Sequence, residues 1–123
     1  MGKARNITGW VLAGLLTVFM AMSAVAKITG AATEQFAAMG LGDQVLLIGI
    51  GELATAVLFL IPLTLSAGAL LQSAYWGGAI VAHMATNTPF TVPAIVLVLV
   101  WTIVLVRRPE LYGPLLPQRS SSV

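Results

Sequence analysis

Apolar residues run unbroken over long stretches of this chain, and polar ones interrupt them at few places. From Ile7 to Ala26 there are 20 residues without a charge, and from Leu53 to Val106 there are 54 with no acidic or basic side chain except His83. No alternating pattern runs through these stretches. In lipid every backbone polar group must be paired within the chain, so such runs read as membrane-spanning helices. Breakers divide them. Asp43 reads as the N-cap of a helix running to Ile61 and Pro62. Leu65 or Ser66 begins another that ends near Thr86. Thr88-Pro89 or Thr91 opens the last, which stops at Arg107-Arg108-Pro109.

The pattern therefore predicts helices over 7–26, 44–61, 66–86 and 90–106. A shorter one, Glu34 to Met39, follows Thr33 as its cap and stops at Gly40, with Phe36 and Met39 on one face. It reads as an interfacial helix lying over one mouth of the bundle. The expected fold is all-α, a four-transmembrane-helix bundle with a short interfacial helix between helices 1 and 2. The membrane domain covers 1–108, and a mobile cytoplasmic tail follows over 109–123.

Composition agrees with this pattern. Hydrophobic residues make up 59% of the chain and charged residues 8%, with a mean hydropathy of +0.98. That is too apolar for a soluble domain of 123 residues and fits a single unit in contact with the lipid bilayer. The absence of cysteine excludes a disulfide scaffold, a thiol redox centre and cysteine-ligated metal. Lys3, Arg5, Arg107, Arg108 and Arg119 lie in the two tails rather than in a patch that could track phosphates, which argues against nucleic acid as a partner.

The same distribution orients the bundle. The 27–43 connection sets Lys27 against Glu34 and Asp43, and the other two connections carry no basic residue, so both termini are expected in the cytoplasm. Lys27, Glu52 and His83 then lie toward the outer face. Lys3 and Arg5 ahead of an apolar stretch ending in Ala24-Val25-Ala26 also suit a secretory signal peptide, but the apolar run exceeds the usual signal core and is read as the first span. Small residues four apart, Gly9, Ala13, Thr17 and Ala21 in the first helix and Ala74, Gly78 and Ala82 in the third, predict close helix approach.

Candidate chemistry gathers at three ionisable side chains. A charge near the bilayer centre costs about 2.5–3.5 kcal/mol on insertion scales, so Lys27, Glu52 and His83 should face the bundle interior and a partner. Counting back from His83 by three and four reaches Ala79, Trp76 and Gln72, one polar stripe, while Gly49, Glu52 and Ala56 share a face with room around the carboxylate. If Lys27 meets Glu52, their attraction at 4 Å is about 4 kcal/mol at an effective dielectric near 20, enough to keep the carboxylate ionised. Without that contact Glu52 should be protonated at neutral pH. Three uses remain open: a structural salt bridge with His83 as a hydrogen-bonded core residue, a proton or quinone site, or metal or haem ligation. One histidine without cysteine cannot close a structural zinc site, although it could supply one axial haem ligand.

The ordered segments SAVAKITG, TEQFAAMGLGD, GIGELATAVLFLIP and AYWGGAIVAHMATN resemble the DoxX-like family of small four-helix membrane proteins over roughly residues 8–113. The resemblance rests on Lys27 after a small-rich helix, Gly49 with Glu52 in the next, and His83 late in the third. It implies a bacterial inner-membrane protein, with relatives linked to thiosulfate oxidation with quinone as acceptor and to membrane-associated oxidative-stress complexes. Carried onto this chain, it implies that Glu52 and His83 handle protons or meet a quinone headgroup. Lys27 would then be a counter-ion, and Gln72, Tyr75 and Trp76 would line the pocket. An accessory or anchoring subunit beside an oxidoreductase partner is the leading reading. Open beside it are a proton-coupled small-molecule exporter built around Glu52 and a purely structural assembly module. Independent enzymatic activity stays open.

Overall fold

The computed structural model describes residues 2–117. Five helices follow in order: α1 (Lys3–Ile28), α2 (Thr33–Ala38), α3 (Val45–Leu60), α4 (Leu65–Ala85) and α5 (Thr91–Arg107). Short 3-10 segments, Gly42–Gln44, Pro62–Thr64 and Pro109–Leu115, join or extend them. The four long helices stand within a few residues of where the apolar runs placed them. α1 extends furthest beyond its run, since Lys3 and Arg5 continue the helix past the apolar stretch. The short helix between the first two long ones is also present.

The long helices form an up-and-down ring in which α1 packs on α3 and α5, and α4 packs on α3 and α5. α1 and α4 thus sit on the diagonal. Ala13, Leu16 and Met20 of α1, Ala56 and Phe59 of α3, Leu65, Ala69 and Trp76 of α4, and Val96, Val100, Ile103 and Val104 of α5 make the buried core. Outward-facing residues are aliphatic as well: Leu47 is 71% exposed and Val98 69%. In water such a belt would drive association, whereas acyl chains cover it at no cost.

By length and composition, two helical stretches can cross a membrane, Lys3–Ile28 and Gly42–Leu60, with mean hydropathies of 2.0 and 1.7. A third candidate is α5 together with Pro109–Leu115, which meet at 112°. α4 has the length, at 21 residues, but not the apolarity. Gln72, Ser66, Ser73, His83 and three glycines dilute it.

Helix ends differ from expectation in one respect. Neither Thr33 nor Asp43 makes a side-chain cap: α2 follows Ala32, and α3 follows Gln44. Backbone bonds serve instead, from Phe36 N–H to the Ala32 carbonyl at 3.1 Å at the start of α2 and from Gln44 N–H to the Leu41 carbonyl at 3.0 Å in the turn that leads into α3. Gly40 turns the chain after α2 with φ +76°, a left-handed conformation that glycine adopts without strain.

Two glycines bring a neighbouring helix's backbone close. A Cβ on Gly68 would lie 2.4 Å from the Phe59 backbone nitrogen, and one on Gly49 would lie 2.9 Å from Lys27 Cβ and 3.1 Å from the Ala24 carbonyl oxygen. Gly49 therefore brings α3 against the α1 backbone rather than leaving space around the carboxylate. Of the expected small-residue stripe in α1, Gly9 and Ala13 are buried, whereas Thr17 and Ala21 are half-buried and the buried line passes to Leu16, Met20 and Ala24. In α4, Ala74, Gly78 and Ala82 face open space instead, and nothing lies within 4 Å of a Cβ built on Gly78.

At the end holding both termini, Arg107 donates to the Phe59 and Leu60 carbonyls, each at 2.9 Å, and its guanidinium lies 4.7 Å from the Trp10 ring centroid. Arg108 pairs with exposed Glu110, and that hydrogen bond holds the carboxyl below its ordinary range. The Tyr112 hydroxyl donates to the Trp101 carbonyl, tying Pro109–Leu115 back to α5. The rest of the expected tail, 118–123, lies outside the described residues.

Candidate functional site

Charge enters the interior at the opposite end, where α1 stops and α3 begins. Glu52 is fully buried and Lys27 is 8% exposed, and Lys27 Nζ donates to Glu52 Oε1 at 2.8 Å. One turn earlier on α1, Ser23 accepts a second hydrogen bond from the ammonium at 2.6 Å on its hydroxyl. The Phe36 ring of α2 also lies near the ammonium, its centroid 5.5 Å away. Lys27 turns inward because a partner awaits it there. Removing both charges from water is costly, and close pairing with added hydrogen bonds offsets that cost.

The second carboxylate oxygen is less well provided for. Glu52 Oε2 is buried without a hydrogen-bond partner among the described residues, although the Tyr75 hydroxyl lies close enough to interact with the carboxylate electrostatically. Gln72 behaves similarly. Its carbonyl accepts the Trp76 indole N–H at 2.9 Å, while its Nε2 is buried without a partner among the described residues.

Beside this pair a cavity of about 520 Å³ opens between the diagonal helices. Its floor is the contact of Phe19 with Trp76, rings stacked with centroids 6.4 Å apart, and Tyr75 meets Trp76 edge-on at 5.0 Å. α2 roofs it with Gln35, Phe36 and Met39, and Lys27 and His83 contribute charge or hydrogen bonding at the rim. The small side chains of Ala74, Gly78 and Ala82 make the room. Its volume lies within the range of small-molecule sites, roughly 300–1,000 Å³, and its mostly apolar walls with a few convergent polar groups have the usual character of one.

His83 stands in the last turn of α4, and its Nδ1 lies 2.7 Å from the Ala79 carbonyl oxygen. A carbonyl only accepts, so Nδ1 carries the proton. The sequence model of the DoxX-like family matches residues 11–105, from within α1 to near the end of α5.

The chain belongs to the DoxX-like family.

It is accordingly a multi-pass membrane protein, and the exposed aliphatic belt is its lipid-facing surface. No curated protein and no solved structure matches it significantly.

The six residues singled out from the sequence divide into two groups. Lys27, His83, Tyr75 and Trp76 line the cavity, whereas Glu52 and Gln72 stand behind the wall and hold Lys27 and Trp76 respectively. Two ring contributors went unnoticed as site residues. Phe19 lies four residues before Ser23 and eight before Lys27, a helical spacing that places it on the same face. Phe36 lies on the amphipathic face of α2, but only the folded chain shows that this face covers the cavity. Among the described residues no group of three His, Asp or Glu side chains is arranged to hold a metal ion.

Proposed function

We propose that this DoxX-like protein is the quinone-holding accessory subunit of a membrane redox system, and that the cavity beneath α2 is the ligand site. The observation that carries the reading is the cavity's composition: flat aromatic walls from Trp76 and Tyr75, with His83 and a Lys27–Glu52 pair at one end. A flat ring needs apolar faces and a few polar groups at its edge, and these walls offer both. A bound quinone would supply two-electron chemistry coupled to protons. This chain would bind and orient it, with His83 at the ring's polar edge and Glu52 keeping Lys27 in place.

Orientation follows from charge. Lys3, Arg5, Arg107 and Arg108 mark the cytoplasmic end, which puts the cavity at the outer side of a bacterial inner membrane. An oxidoreductase partner there would share the ligand.

Export driven by Glu52 is less well supported, because the carboxylate is fully buried, paired with Lys27 and absent from the cavity wall. A substrate would have to displace the ammonium first.

The test is purification in mild detergent, lipid extraction and identification of bound quinone, followed by titration of the stripped protein in nanodiscs with a short-chain ubiquinone. Saturable quenching of tryptophan fluorescence, weakened at least tenfold by Trp76→Leu, is expected. Absence of both retained and rebound quinone would end the proposal.

A further inference from the structure

Independently of the quinone reading, we infer that the end of the bundle holding both termini carries a second site, which takes the phosphate of an anionic phospholipid from the leaflet on that side. A cavity of about 300 Å³ lies there between the start of α1 and the end of α5, lined by Gly2, Lys3, Arg5, Asn6, Val106 and Arg107. Three of these are cations and none is an acid. Glu110, the one acidic side chain at this end among the described residues, pairs with Arg108 and stays off the cavity wall, although its carboxyl also feels the charge of Arg5.

The packing of α1 on α5 holds the cations in place. Arg5 Nε donates to the Val106 carbonyl at 2.7 Å, and Arg107 is fixed by the Phe59 and Leu60 carbonyls at 2.9 Å each. A carbonyl positions a guanidinium without cancelling its charge. Gly9 permits the close approach, since a Cβ there would lie 2.7 Å from Arg107 Cγ. Lys3 completes the rim with an exposed side chain.

The start of α1 adds to this field. Its N-cap is Gly2, which has no side chain to satisfy the first amides, and its first turn contains no acid. The first helical bond, from Asn6 N–H to the Gly2 carbonyl at 3.3 Å, leaves the amides of Lys3 and Ala4 ahead of it. A helix end of this kind attracts phosphate, and basic side chains around it add charge and further N–H donors.

Depth favours a lipid over free phosphate. Trp10, four residues after Asn6, is half-exposed with the Arg107 guanidinium beside its ring, which sets the cavity at the level of the headgroups. Past the cavity the surface turns aliphatic, with Ile7 and Leu105 exposed. A phosphate tethered to acyl chains meets both surfaces, and a free phosphate meets only the polar one. Basic pockets between helices on such a membrane face suit anionic headgroups.

The experiment is native mass spectrometry of the delipidated full chain in mild detergent, titrated with phosphatidylglycerol and separately with phosphatidylcholine. Phosphatidylcholine carries the same phosphate beside a choline cation, which this cavity repels. The expected result is saturable binding of one phosphatidylglycerol, about tenfold tighter than phosphatidylcholine, and Lys3→Gln should cut that preference about fivefold. Asn6→Phe fills the cavity without changing the charge, and it should weaken phosphatidylglycerol at least as much, which loss of a diffuse surface field would not explain. Both residues are exposed. A monodisperse elution profile and an unchanged melting midpoint show that each variant is folded. Millimolar inorganic phosphate should compete little. Equal affinities for the two lipids, graded uptake without saturation, or a preference that survives Asn6→Phe would overturn the inference. Inorganic phosphate that binds saturably and displaces the lipid would overturn the phospholipid as occupant and leave an anion site.

Discussion

Lys27 Nζ and Glu52 Oε1 stand 2.8 Å apart across the α1–α3 interface, and among the described residues no other charged side chain is buried. Breaking such a pair from one side leaves an uncompensated buried charge and costs about 3–5 kcal/mol. Lys27→Met should therefore lower stability by about that amount. Lys27→Met combined with Glu52→Gln should be no less stable than Lys27→Met alone. Denaturant titration in mild detergent compares them, and a double variant clearly worse than the single would show that the pair is not the coupling that matters.

Gly68 and Gly78 lie on the same helix and should respond oppositely to one methyl group. A Cβ on Gly68 would sit 2.5 Å from Phe59 Cα, so Gly68→Ala must push α4 away from α3, at a cost of about 1–3 kcal/mol or more. Gly78→Ala meets nothing within 4 Å and should leave the fold within about 0.5 kcal/mol of wild type. Thermal unfolding of the two variants side by side gives the comparison. Equal losses would contradict the packing described above.

Arg107 and Arg108 are neighbours with unequal work. Arg107 spans two carbonyls at the end of α3, which a lysine cannot do with a single ammonium, so Arg107→Lys should cost about 1.5–3 kcal/mol. Arg108 pairs with Glu110 on the surface, its side chain 42% exposed, and Arg108→Lys should be close to neutral. Chemical unfolding monitored by Trp10 fluorescence is a suitable readout, because that ring lies under the Arg107 guanidinium.

The roof over the cavity depends on a left-handed turn. Gly40 has φ +76°, and an alanine there incurs about 1–2 kcal/mol of backbone strain. Gly40→Ala should accelerate amide hydrogen exchange in Thr33–Ala38 and the following Gly42–Gln44 turn while leaving α5 unchanged. Exchange that rises equally throughout would mean the turn supports the whole bundle rather than its roof.

The sequence by itself determined the helices. Long uncharged runs leave the backbone no other way to pair its polar groups in lipid, and Pro62, Gly40 and the Arg107-Arg108-Pro109 segment break those runs where the chain turns. It also determined that Lys27, Glu52 and His83 would face inward, since the alternative exposes charge to acyl chains. What it could not decide was which of them meet. Helical periodicity fixes the face of a residue but not the rotation or separation of one helix against the next.

The tertiary structure decided those contacts through particular small residues. Gly49 and Gly68 draw α3 against α1 and α4, while Ala74, Gly78 and Ala82, equally small, face the widening diagonal and leave a cavity. It also separated Glu52 and Gln72 from Lys27, His83, Tyr75 and Trp76, placing the first two behind the wall. Residue type alone does not separate the two cases. The difference lies in what stands opposite, and only the packed bundle supplies that.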